Sequence, residues 1–359
     1  MFTLIALAAA AAQSAPPTLP GIWEGNVGTL PVRACFVARD WGPFGAYYYM
    51  SQRRLIVLDG VEGAPSTLRE GVADDSNAPR WQVLSVDGNQ LQARWTGGRR
   101  VLPVRLTRVA AATGEDSACA SMAFHQPLLA GVRTVTRPAT ADGVAYTRIA
   151  LDHGGRFEAD VETFALDGAG DATHRVNALL GRNLAGNPPE WYDCLRNALQ
   201  SGPMGGGLSE TFEPVMIAER WLSVNHQYDS FCGGAHPNSG TTYETYNLVA
   251  GALADLHDWF DERAVRRERF EGSEDEAKTL LPALRDVIPA GWRSEGDAEC
   301  GDVVRAAEYW NIGLRRTGFV FAPSLPHVAQ ACGEEFTVPF ARVRQFLTPE
   351  GAANVDALR

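Results

Sequence analysis

The chain has 359 residues, enough for two domains at about 150 residues each and for a full hydrophobic core without metal or covalent staples. Apolar residues make up 45% and charged residues 21%, which excludes a disordered tail, a collagen-like fibre and a coiled coil. The net charge of −11 argues against sequence-independent binding to nucleic acid, and no nucleic-acid partner is expected.

The charge is unevenly spread. Residues 16–140 carry 13 Arg against 10 acids, whereas residues 141–359 carry 19 Lys and Arg against 33 acids. The first segment, Met1–Ala12, is uncharged and apolar and ends in small residues. Its length suits a signal-peptide core and is too short to span a bilayer. Export is therefore expected, with residues 1–15 as signal peptide and a periplasmic or secreted mature chain that has no transmembrane segment.

Residues 16–110 read as an antiparallel β module. Strands are predicted at Gly21–Val27, Val32–Ala38, Ala46–Met50, Arg54–Asp59, Trp81–Val86, Leu91–Trp95 and Leu102–Leu106. Asp59-Gly60, Asp87-Gly88 and Gly97-Gly98 supply turn residues between them. Trp41, Tyr47, Tyr48, Tyr49 and Trp81 could stack on sugars, but core packing accounts for most of them. Residues 111–145, rich in Ala, Thr, Gly and Pro, read as a connection.

Residues 146–359 read as an α+β module, an antiparallel sheet with flanking helices. Asp171 is placed to cap one helix, and Pro188-Pro189 opens another over Glu190–Leu199. Ser209–Ile217, Glu219–Tyr228 and Thr241–Leu248 form a predicted meander. Asp255–Phe270 has helical spacing. Ser273-Glu274-Asp275-Glu276 resembles a capping box ahead of an apolar stripe from Ala277 to Ile288, with Pro282 kinking the helix. Trp310–Leu314 and Gly318–Phe321 read as a hairpin, Phe336–Phe340 as the last strand, and Ala341–Leu347 as a short last helix.

Six cysteines in an exported chain favour disulfides. Fifteen connectivities are possible; the simplest nesting is Cys35–Cys119, Cys194–Cys232 and Cys300–Cys332. No C-x-x-C pair points to redox or zinc chemistry.

The motifs for a nucleophile elbow, a zinc protease, a phosphate loop and a dinucleotide fold are missing, and no cofactor is expected. The densest cluster of functional residue types runs from Asn225 to Pro237 and holds His226, Asp229, Ser230, Cys232 and His236. A metal site is disfavoured, because Cys232 has a disulfide candidate. A Ser230 nucleophile is disfavoured too, because neighbours on a strand face opposite ways. Gly233-Gly234 predicts a sharp reversal, with His236 bracing buried backbone groups. The alternative is a small hydrolase acting on wall polymer through His226, Asp229, His236 and Glu244. The acid run Glu271–Glu276 reads as a solvated helix start.

Two blocks carry a resemblance. Tyr228-Asp229-Ser230-Phe231-Cys232-Gly233-Gly234-Ala235-His236-Pro237, followed by Tyr243-Glu244-Thr245-Tyr246-Asn247-Leu248, is similar to an extracytoplasmic domain family of unknown function. That family is shared by the lysozyme-sensing anti-sigma factor RsiV and some peptidoglycan deacetylases. Gly318–Phe321, Leu325-Pro326-His327-Val328 and Cys332-Gly333 before Phe336-Thr337-Val338-Pro339 resemble its closing block. The resemblance covers about residues 146–347. Neither a sigma-binding segment nor a deacetylase domain accompanies it, so neither activity is carried over. It implies an α+β domain that recognises a cell-envelope protein or wall glycan without catalysis. Tyr228, Asp229, His236, Tyr243 and Glu244 are the binding candidates. The acidic balance suits a cationic partner such as a lysozyme-type hydrolase.

Overall fold

The computed structural model of the chain describes residues 19–40, 42–71, 75–111, 118–202, 204–270, 272, 276–288 and 298–358. The expected signal peptide and Trp41 lie outside the described residues. The α+β class holds: the structure is mostly antiparallel sheet with a few helices.

The first eight strands are β1 (Gly21–Val27), β2 (Leu30–Arg39), β3 (Gly42–Tyr49), β4 (Ile56–Val61), β5 (Ala64–Glu70), β6 (Arg80–Asp87), β7 (Gln90–Gly97) and β8 (Arg100–Ala111). Each pairs with the next, and β8 pairs back on β1 (Val27 opposite Val104), so the sheet closes into a barrel. The interior of an eight-stranded barrel is narrow enough for side chains to fill. Trp23, Phe36, Tyr47, Leu58, Leu68 and Trp81 fill it, with the Tyr47 and Trp81 rings 4.8 Å apart. Tyr47, Tyr48 and Trp81 are thus core residues and not a sugar-stacking platform. Strand β5 has no counterpart in the sequence reading, because Leu68 is its one fully buried residue.

The stretch expected as a connection instead carries regular structure. Helix α1 (Met122–Leu129) and strand β9 (Arg133–Ala141) occupy it, and β9 is the outer strand of the next sheet. That sheet continues through β10 (Val144–Asp152), β11 (Ala159–Leu166), β12 (Gly207–Ile217), β13 (Trp221–Phe231), β14 (Asn238–Asn247) and β15 (Ala252–Ala254). Its order follows the chain, and all pairs are antiparallel except β11 with β12. The parallel pair needs a long crossover, which α2 (Asp171–Leu180) and α3 (Glu190–Ser201) provide.

Farther along, the expected helices give way to strands. Asp255–Phe270 holds a 3₁₀ turn (Leu256–Trp259) and then β16 (Val265–Arg269). The stripe from Ala277 becomes β17 (Glu276–Leu280), paired with β16, and the short helix α4 (Pro282–Arg285). Pro282 sits at the start of α4, the helical position that tolerates a missing N–H, so it opens a helix and does not kink one. Ser273–Asp275 of the expected capping box lie outside the described residues. After α5 (Ala298–Ala306), the strands β18 (Trp310–Arg315), β19 (Gly318–Pro323) and β20 (Phe336–Pro339) form a three-stranded antiparallel sheet, followed by α6 (Phe340–Val343) and α7 (Pro349–Asp356). Among the described residues, no helix is long and apolar enough to cross a membrane.

The three disulfides are Cys35–Cys119, Cys194–Cys232 and Cys300–Cys332. They tie β2 to the segment before α1, α3 to the end of β13, and α5 to the 3₁₀ turn His327–Cys332. The barrel meets the rest of the molecule through a mixed apolar cluster that includes Tyr48, Cys119, Phe124 and Leu199.

His125 locks that seam. It is 2% exposed, its Nε2–H donates to the Cys119 carbonyl, and the Tyr192 hydroxyl donates to Nδ1, each at 2.7 Å. Burial pushes its pKa down to about 4, against about 6.5 for free imidazole. The unfolded chain therefore binds the extra proton between those values. The stability from neutral His125 is complete above the higher value and is lost as pH falls toward the lower, up to about 3 kcal/mol. Denaturant titrations at neutral and acid pH should show a larger acid loss in the wild type than in His125→Gln. Parallel pH profiles would contradict the assignment.

Candidate functional site

Strands β12, β13 and β14 carry the residues singled out from the sequence, and their pleat sorts those residues onto two faces. The register pairs Phe212 with His226, His226 with Thr242, and Asn225 with Tyr243. Successive residues point to opposite faces. His226, Tyr228 and Glu244 therefore share one face, and Asp229 and Tyr243 share the other. His236 lies beyond both, in the turn between β13 and β14. The four groups of the hydrolase reading do not converge.

Most of these side chains already have partners. The His226 ring stacks on Phe212 at 4.0 Å with 7° between planes. Its Nε2–H donates to Glu210 at 3.2 Å, and Thr242 donates to Nδ1 at 3.3 Å. Arg182 clamps both Glu244 oxygens at 2.5 and 3.2 Å, and the Tyr246 hydroxyl also donates to that carboxylate. The Tyr243 hydroxyl donates to Glu335 at 2.6 Å. Burial first, and the Glu335 carboxylate second, push that hydroxyl up to about 12, so it stays a donor at neutral pH.

The reversal at Gly233-Gly234 has positive φ at both residues, as expected. The role expected of His236 is not what the structure shows. His236 is exposed, its Nδ1 meets only the adjacent Pro237 carbonyl at 3.2 Å, and its ring stacks on His327 at 3.9 Å. The contact joins the two motif blocks across space, and Gln330 reinforces it by donating to Asn238 Oδ1 at 3.1 Å.

Between those blocks lies a cleft of about 420 Å³. One wall is β14 at Ser239–Thr242 with Tyr228. The other is Ala322–Leu325, Gln330, Ala331 and Gly333–Glu335, and Asn311 closes one end. The Tyr228 ring reaches the cleft by lying across Gly240, where an added Cβ would come within 2.7 Å of the hydroxyl. Gly240 is small because the ring occupies its side-chain space. A second hollow shares Tyr228, Ser239, Gly240 and Thr241 and continues over Ser209, Thr211, Gln227 and Asp229.

The cleft gathers polar groups that the protein leaves free. The side chains of Tyr228, Ser239, Thr241, Ser324 and Glu334 make no hydrogen bond or ion pair among the described residues. Glu335 is engaged by Tyr243, Asn225 at 3.5 Å and Arg315 at 3.6 Å. Of the sequence candidates, Tyr228 alone lines the larger cleft, and Asp229 lines its extension. Ser239, Thr241, Asn311, Ser324, Glu334 and Glu335 also line it and are not among the candidates that the sequence offers. The acidic pair beside Gly333 and the run of small hydroxyl residues after Pro237 were the available signals. Among the described residues no group of three or more His, Cys, Asp or Glu is placed to hold a metal ion.

No family model matches the chain, and no curated protein matches it. Among solved structures, it is similar to a DUF3298 family protein from Pseudomonas aeruginosa PAO1, with 13% identity, a TM-score of 0.38, and coverage of 61% of this chain and 96% of that one. A DUF3298 member from Bacteroides fragilis NCTC 9343 is similar at 13% identity and a TM-score of 0.36, over 64% of this chain and 96% of that one. DUF3298 is a family of unknown function.

His226 and His236 should respond oppositely to truncation. His226→Ala removes a stacked ring and two partly buried hydrogen bonds, and should cost about 2 kcal/mol. His236→Ala should cost under about 0.5 kcal/mol, as for an ordinary surface site. Thermal unfolding of both variants decides it, and a larger loss for His236→Ala would restore the bracing role.

Proposed function

We propose that the chain is a non-catalytic binding protein of the cell envelope, periplasmic or secreted, and that its partner docks in the cleft beside β14. The observation that carries this reading is the contrast between the two sets of polar residues. His226, Glu244 and Tyr243 are held by neighbouring side chains and lie on two faces. The groups that converge on open space are hydroxyls, an amide and carboxylates, which suit recognition. Three disulfides accord with an oxidising compartment. In this reading the unit 146–359 recognises the partner, and the barrel within 16–110 is an accessory module.

A cationic protein is the favoured partner. Residues 141–359 carry 14 more acids than bases, and Glu334 and Asp229 stand without a cation beside them in the cleft and its extension. Opposite charge raises encounter rates and makes them sensitive to salt.

The test immobilises the protein and titrates it with a lysozyme-type wall hydrolase, the cationic probe, and with soluble wall glycan fragments. The hydrolase should bind, and its association rate should fall about tenfold from low to physiological salt. Glu334→Gln combined with Asp229→Asn should weaken binding while leaving the melting temperature in place. Binding of glycan alone, indifferent to salt, would remove the cationic partner. Hydrolysis of the fragments, abolished by His226→Ala, would replace the binding reading with the hydrolase one.

A further inference from the structure

We infer that the cleft takes an extended peptide segment with basic side chains, added as a further strand along the outer edge of β14 at Ser239–Thr242. The inference rests on the binding reading above and specifies its ligand.

Strand β14 is paired with β13 from Asn238 to Asn247, but with β15 only at Thr245–Asn247. The side from which an extra strand would approach is fixed by one hydrogen bond. The backbone N–H of Tyr243 donates to Asn311 Oδ1 at 2.7 Å, so Tyr243 turns its polar backbone away from β13. Backbone groups alternate in direction along a strand. Thr241 and Ser239 therefore also turn their N–H and C=O outward, into the cleft, while Gly240 and Thr242 bond to β13. No described residue bonds to those outward groups.

The open stretch is bounded at both ends. Asn311 stands in for a neighbouring strand at Tyr243, and Gln330 holds the Asn238 side chain at the other end. The four residues between span about 13 Å. Exposed edges are commonly blocked by Lys, Pro or a bulge. Ser239-Gly240-Thr241-Thr242 contains neither residue, and its register with β13 is continuous. The edge is open, and it lies inside a cleft instead of on a bare rim.

The walls say what side chains the added strand carries. Its residues alternate between the face of Tyr228 and the face of Tyr243, where Glu335 is held. Tyr228 offers a ring to an apolar residue. Glu334 and Glu335 lie in the same cleft, with Arg315 beside Glu335 alone. Apolar residues alternating with basic ones meet both walls, with main-chain bonds giving affinity and side chains giving selection.

The probe is a short blocked peptide of alternating Lys and Val, compared with the same peptide methylated at every peptide nitrogen. Methylation keeps the charge and removes the donors. The plain peptide should bind and slow amide exchange at Ser239 and Thr241, and methylation should weaken it about tenfold or more. Thr241→Pro removes one outward donor and leaves the β13 ladder intact, since Pro is tolerated on an edge; it should weaken binding similarly, and clearly more than Thr241→Val, which loses the cleft hydroxyl but keeps the N–H. Equal binding of both peptides, with no protection at Ser239 and Thr241, would overturn strand addition and leave a charge-driven binding site. A lysozyme-type probe that binds while neither peptide does would overturn the peptide ligand alone. Self-association abolished by Thr241→Pro would make a second copy the occupant and overturn the inference. Failure of every probe would remove the binding reading as well.

Discussion

The unequal pairing of β14 is the constraint from which the site follows. One side bonds to β13 along the whole strand, and the other meets three residues of β15. A strand left so would present bare backbone to solvent. Here the β18–β20 sheet leans over it: Asn311 on β18 takes the Tyr243 amide, and Ser223 accepts from the Leu314 amide at 3.0 Å. What remains uncovered is a short window whose far wall is the end of β19, the 3₁₀ turn His327–Cys332 and the residues that lead into β20. A cleft between a strand edge and a looped wall can hold its width only if both walls are fixed.

Three kinds of interaction fix them. Cys194–Cys232 anchors the end of β13 to α3, and Cys300–Cys332 anchors the facing 3₁₀ turn to α5. The His236–His327 stack and the Gln330–Asn238 bond join the walls at the open end. Within the far wall, Glu335 draws together Tyr243, Asn225 and Arg315. The disulfides confer most where they close long loops in the unfolded chain. The exposed stack contributes orientation more than stability, since both imidazoles remain in contact with water.

The sequence was readable where alternation was clean and turn residues marked the ends. Gly21–Val27 and the hairpin around Arg315–Thr317 appear as expected, and β12–β14 lie within three residues of their expected bounds. It was unreadable where pattern and context disagreed. Leu280, Leu284 and Ile288 keep helical spacing, yet Leu280 is buried from a strand and Leu284 from a separate helix, because Pro282 divides them. Barrel closure depends on β8 meeting β1 across most of the module, and local pattern carries no trace of that. The site was half visible for a similar reason. Motif spacing gathers Tyr228, Asp229, Tyr243 and Glu244 along the chain, but the pleat sends them to opposite faces. Glu335 reaches Tyr243 from 92 residues away.

Two stretches far apart in the sequence, around Cys232–Pro237 and His327–Gly333, flank one cleft. Gly233-Gly234 reverses the chain so that β14 starts beside Gln330, and Cys232 and Cys332 are both bound into disulfides. His236 and His327 spend their rings on each other. The recognisable residues therefore build the frame, while the groups facing open space are small and unremarkable in sequence: Ser239, Thr241, Ser324 and the backbone between them. A frame of this kind can be shared by proteins with different partners, because main-chain groups bond to any extended segment and only the surrounding side chains choose among them. Selectivity would then reside in the side chains around that edge, Tyr228, Glu334 and Asp229.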